Sequence, residues 1–106
     1  MPDRERHIVI VSFTTSKESQ AQAIQEVGDY VEKFLSCQSG FIASRLHASL
    51  DGNSLVHYAE WVSEEDFIAA AGKARSHPDL RLLMAYNPNA SGYQILRQFT
   101  SNRSCE

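Results

Sequence analysis

Hydrophobic residues recur along this chain with two different periods, and the switches between them mark out six elements. Ile8 to Phe13, IVIVSF, is a β-branched run without polar alternation, which predicts a strand covered on both faces. From Lys17 to Ser36 the apolar residues Ala21, Ile24, Val27, Val31, Phe34 and Leu35 fall three and four apart. That spacing makes one stripe of a helix about five turns long. Gln22, Gln25, Glu26, Asp29 and Glu32 take its opposite side, and Gly28 lies beside the stripe, where it permits close approach to a sheet. Thr15 and Glu18 have the spacing of a capping box at the helix start. Gly40 suits the left-handed conformation that ends such a helix.

Two alternating runs come next, Phe41 to Leu50 and Leu55 to Val62, joined at Asp51-Gly52, a strong hairpin signal. A two-residue turn sets Leu50 against Asn53, so Leu46 opposes His57 and Ile42 opposes Trp61. Leu55, His57, Ala59 and Trp61 then share one face. Ser63 caps a second helix whose first turn, Glu64, Glu65 and Asp66, complements the positive end of the helix dipole. Phe67, Ala70, Ala71 and Ala74 form its narrow apolar stripe. Pro78 breaks or restarts the helix, and Leu80, Leu83 and Met84 carry an apolar face on to about Tyr86. Asn87 to Gly92 reads as a loop and Tyr93 to Phe99 as the last strand, with a frayed polar tail over 101–106.

The order β-α-β-β-α-β predicts an α+β, ferredoxin-like sandwich in one domain spanning the 106 residues. Helices cover one face of the sheet. The other face would carry Phe41, Ala43, Val56, Tyr58 and Val62, too apolar for open water. Two sheets packed face to face in a homodimer bury it, with Arg45 and Glu60 able to pair at the seam.

Composition narrows the function classes. A formal charge of -3 without clustered Lys or Arg argues against nucleic acid as a partner. No apolar run reaches the roughly 18 residues of a membrane span, and the charged N-terminus is unlike a signal peptide, so a cytoplasmic protein is expected. Cys37 and Cys105 make neither a disulfide framework nor a metal pattern and read as free thiols. The four histidines have no carboxylate at ligand spacing, so no metal is expected.

The chemistry left is that of one face. His57 and Trp61 point toward the helices across from the small residues Ala69 to Gly72, which leave volume unfilled. With Leu46, Ala59, Phe67 and Ala70 around them, they outline a pocket for a flat aromatic ligand. The same pattern also describes a core tryptophan beside a hydrogen-bonded core histidine.

Across about Val9 to Phe99 the chain resembles the antibiotic biosynthesis monooxygenase domain family, small dimeric α+β barrels. The likeness lies in Gly40-Phe41, His47-Ala48-Ser49-Leu50-Asp51-Gly52, and Val56-His57-Tyr58-Ala59-Glu60-Trp61 followed by Ser63-Glu64-Glu65. In the branch that oxidises aromatic polyketides without a cofactor, the strand reads Asn-Tyr-Ala-Gln-Trp, with a helical tyrosine and a later arginine. The resemblance implies that Trp61 orients a phenolic substrate and that Arg81 stabilises its anion, which reduces oxygen directly. It places His57 at the asparagine and Phe67 at the tyrosine. A histidine with an ordinary pKa near ~6.5 can take the phenol's proton itself. The haem-degrading branch needs a strand-one asparagine and a helical tryptophan; IVIVSF has no asparagine, and Ala70 stands near the tryptophan position. The resemblance therefore implies a cofactor-independent monooxygenase with His57, Trp61 and Arg81 as catalytic residues and Leu46, Ala59, Phe67 and Ala70 around the substrate. The alternative is a dimeric module that binds a small aromatic ligand without turning it over.

Overall fold

The computed structural model describes residues 6–102 and 104; residues 1–5, Arg103, Cys105 and Glu106 lie outside them. Strand β1 (His7–Thr14) is followed by helix α1 (Gln20–Lys33), a 3-10 turn at Leu35–Cys37, and the hairpin of β2 (Phe41–Ala48) and β3 (Ser54–Trp61). Helices α2 (Glu64–Ala74) and α3 (Pro78–Met84) lead to β4 (Asn89–Gln94). The four strands form one antiparallel sheet in the order β2-β3-β1-β4, the expected ferredoxin-like arrangement.

The hairpin sets the register on which the rest of the sheet depends. Leu46 stands opposite His57, as the turn chemistry predicts. Gly52 takes φ of +83°, which costs a glycine little, and Ser49 N–H closes the turn onto the Ser54 carbonyl at 3.0 Å. The Asp51 carboxylate accepts from Asn53 N–H and the Ser49 hydroxyl, and these bonds lower its pKa. Thr15 does not cap α1. Its hydroxyl instead donates to the Gly52 carbonyl at 2.7 Å, and Gln20 donates to the carbonyls of Ser49 and Ser54, tying the hairpin tip to the start of α1.

Two other local features differ from the periodic reading. A bulge between Phe41 and Ala43 puts Phe41, not Ile42, opposite Trp61. An extra residue in one strand turns the residues beyond it to the other face, so Phe41 packs on Trp61 among the helices and Ile42 is left 38% exposed. In α1 the buried residues are Ala23, Val27 and Tyr30, whereas Ala21 and Ile24 face outward. The buried stripe thus runs 23-27-30, rotated from the one the apolar count suggests, because the Tyr30 ring takes the inner position. Gly28 has no atom within 4 Å of where a side chain would begin and makes no close approach.

Ser63 caps α2 as expected, accepting from Asp66 N–H at 3.1 Å. Pro78 begins a separate helix, α3, whose cap is the His77 imidazole: Nδ1 accepts from Asp79 N–H at 3.1 Å.

The last strand lies earlier than predicted. Asn89 to Gln94, read as loop and strand start, pair with β1, ending at Gln94 opposite His7. Ile95 to Phe99 lie beyond the last β1 partner and are paired in no strand among the described residues. Leu96 and Phe99 are 67% and 73% exposed. A depression of about 1020 Å³ separates this segment from the sheet's open face at Ala43, Arg45, His47, Tyr58 and Glu60. On that face Glu60 pairs with Arg6 at 3.0 Å.

Candidate functional site

Between sheet and helices the core divides in two. One cluster gathers Phe13, Ala23, Val27, Tyr30, Leu55, Ala74 and Leu83; the other gathers Val9, Ala59, Trp61 and Ala70. On β3, His57 stands between Leu55 of the first and Ala59 of the second. It lines a cavity of about 270 Å³ walled by α1, α2, α3, β1 and the start of β4. Of the fourteen lining residues only His57 and Tyr30 carry a polar side-chain atom.

His57 is 4% exposed, and its Nε2 has no hydrogen-bond partner. Burial, helped by the charge of His47, lowers its pKa from 6.5 to about 4. The imidazole is therefore neutral at pH 7, because an apolar wall solvates its charged form far less well than water does. Trp61 is fully buried, and its Nε1–H is also unpartnered. Its ring meets Phe41 edge-on with centroids 5.3 Å apart and Phe67 at 5.6 Å.

These two orphaned groups differ in what compensates them. A tryptophan buries roughly 150–250 Å² of surface, worth on the order of 4–6 kcal/mol at ~25 cal/mol per Å². That exceeds the ~1–3 kcal/mol cost of one unsatisfied donor, so Trp61 is stable in the core without a ligand. An imidazole has far less apolar area to offset the same cost. His57 is the group whose position calls for a partner in the cavity.

The structure brings together some of the expected residues and separates others. His57 and Phe67 line the same cavity, and Ala71 supplies the small-residue wall in place of Ala70. Trp61, Ala59 and Ala70 form the packed cluster behind Phe67. Leu46 packs against the first cluster beside His57. Arg81 is exposed on α3 and does not line the cavity, while Leu80 and Leu83 of that helix turn inward. Tyr30 is the wall residue that the apolar count left out. The Ala23, Val27, Tyr30, Phe34 spacing carries it once tyrosine is counted as an apolar body with a polar tip.

The family model described as antibiotic biosynthesis monooxygenase matches residues 6–76. Tetracenomycin-F1 monooxygenase of Streptomyces glaucescens is 29% identical over 77 residues, which are 73% of this chain and 69% of that protein. The ActVA-Orf6 monooxygenase of Streptomyces coelicolor, solved with nanaomycin D, superposes with a TM-score of 0.79 at 22% identity, covering 95% of this chain and 96% of that one. SnoaB of Streptomyces nogalater, a cofactor-independent oxygenase solved in a mutant form, gives 0.79 at 19% identity over 92% and 99%. At those identities the two structures speak for the fold.

Proposed function

Because the chain belongs to the antibiotic biosynthesis monooxygenase family, we propose that it is a monooxygenase that seats a flat phenolic molecule in the cavity at His57 and oxidises it with O2. The observation that carries this reading is the unpartnered Nε2 of a neutral, buried imidazole in an otherwise apolar wall. Such a nitrogen is the natural partner of a substrate hydroxyl. Phe67 and, behind it, Trp61 supply the aromatic face against which a flat ring packs.

The chemistry asks little more of the protein. His57 takes the hydroxyl proton as the ring gives up electron density, and the resulting anion is itself the reductant of O2. One electron passes to O2, superoxide and the substrate radical join at a ring carbon, and the peroxide collapses. One oxygen atom stays as the new carbonyl and the other leaves as water with the two hydrogens lost by the substrate. No resident cofactor is needed, and SnoaB, named a cofactor-independent oxygenase, supports that reading.

The imidazole sets a condition on the substrate. A simple phenol titrates near ~10, far above about 4 for His57, and pairing in the complex closes only part of that gap. The proton His57 removes must therefore already be acidified by conjugation to a carbonyl, as in the hydroxyl of a hydroxyquinone precursor or the ring CH2 of an anthrone.

A second reading, ligand binding without turnover, is favoured by Phe67, which has no hydroxyl, and by the outward Arg81, which leaves no cation in the described wall to hold an anion. Incubation with an anthrone under air separates the two. Quinone formation that falls with His57→Ala supports the oxygenase; binding with quinone formed only at the protein-free rate supports the second reading.

We also propose that the open sheet face and the strand-like segment 95–99 meet a second copy of the chain. The exposed Leu96 and Phe99 of that segment and the depression in front of it are what favour this partner.

A further inference from the structure

We infer that the ligand of this cavity is an uncharged hydroxylated aromatic carrying no carboxylate or other fixed anion. This deepens the proposed function and rests on it.

The whole wall, rather than one residue, imposes the restriction. No lysine or arginine is among the fourteen residues that line the cavity. The cations on the walling helices, Lys33, Lys73, Arg75 and Arg81, are all exposed. The two polar side chains that do reach the wall, His57 and Tyr30, are neutral near pH 7. A carboxylate brought into this space would lose its hydration and find no countercharge in the wall. Burying an ion without a partner costs more than the apolar contact of one extra substituent returns.

The volume adds a second limit. About 270 Å³ is at the small end of pockets that hold small molecules, enough for roughly two to three fused rings. A precursor bearing a carboxyl group would therefore have to be decarboxylated or esterified before it reached this protein.

Titration calorimetry near neutral pH with three probes tests this: β-naphthol, hydroxynaphthoate with its carboxylate on the far ring, and the methyl ester of that acid. The phenol and the ester should bind within about threefold of each other, and the acid at least about tenfold more weakly than either. An acid within tenfold of the phenol overturns the inference. An ester as weak as the acid also overturns it, because size and not charge would then be the barrier. If none of the three binds, the cavity is not a ligand site and the proposed function falls with this inference. If the phenol and the ester bind but no anthrone is oxidised, the oxygenase reading fails and the charge rule stands.

Discussion

Trp61 and Phe67 meet edge to face, with ring centroids 5.6 Å apart, and only Phe67 of the two touches the cavity. The tryptophan is thus a reporter one ring removed from the ligand. An aromatic ligand should quench its emission without large spectral displacement, because the indole stays buried. Phe67→Ala should weaken binding by about tenfold, on the order of the ~1–1.5 kcal/mol an aromatic contact carries. A titration monitored at the single tryptophan checks both; quenching and affinity unchanged in the variant would remove Phe67 from the site.

The stability of the protein should depend on acid through His57. Its pKa is about 4 when folded, against 6.5 for an ordinary exposed histidine. The unfolded chain therefore binds the proton first as pH falls. The contribution of this residue is fully present above about 6.5, is lost progressively down to about 4, and changes no further below. The span is on the order of 3 kcal/mol. Urea unfolding of wild type and His57→Asn across that window should show the wild type losing stability more steeply; parallel curves would show that the imidazole is not held neutral.

Filling the cavity should separate folding from binding. Ala71→Leu adds three carbons to the wall at a half-buried position. With space to enter, it should leave thermal stability unchanged or raise it by up to about 1–2 kcal/mol, while abolishing ligand binding. Retained binding would place the ligand elsewhere.

The bond between Glu26 and Tyr86 closes α1 against the chain that leaves α3. Tyr86→Phe should cost about 1–2 kcal/mol of stability, the range for a hydrogen bond to a charged group that is partly exposed. Chemical denaturation measures it, and a loss below about 0.3 kcal/mol would show that the bond is idle in solution.

The second copy proposed for the open face is tested by sedimentation. The intact chain should run as a dimer and a chain ending after Gln94 as a monomer. A monomeric intact chain at micromolar concentration would leave that face without its proposed partner.

Where local chemistry decided the structure, the sequence was readable. Asp51-Gly52 set the register that puts Leu46 across from His57, and Ser63 with its acidic first turn located α2. Features decided by partners at a distance were not. Asn89 to Gly92 have loop composition but are held as strand by β1, and Phe41 changes face through a bulge that no residue in GFIA announces. The site shows the same division. The alternation of β3 gave His57 its inward face, whereas the cavity's far wall, Tyr30 above all, depended on how α1 rotates once its aromatic ring is buried. Arg81 was reached through resemblance alone, and the turn of α3 set by Pro78 and the His77 cap carries it outward.

On the proposed chemistry, His57 drives the reaction of a bound, acidified phenol with oxygen. Oxygen uptake with an anthrone, measured by electrode against a protein-free control and against His57→Ala, is the decisive measurement. Uptake and quinone formation should be equal in amount and at least about tenfold faster with the wild type than with the variant. Uptake at the protein-free rate, or a His57→Ala protein as fast as wild type, would contradict that role.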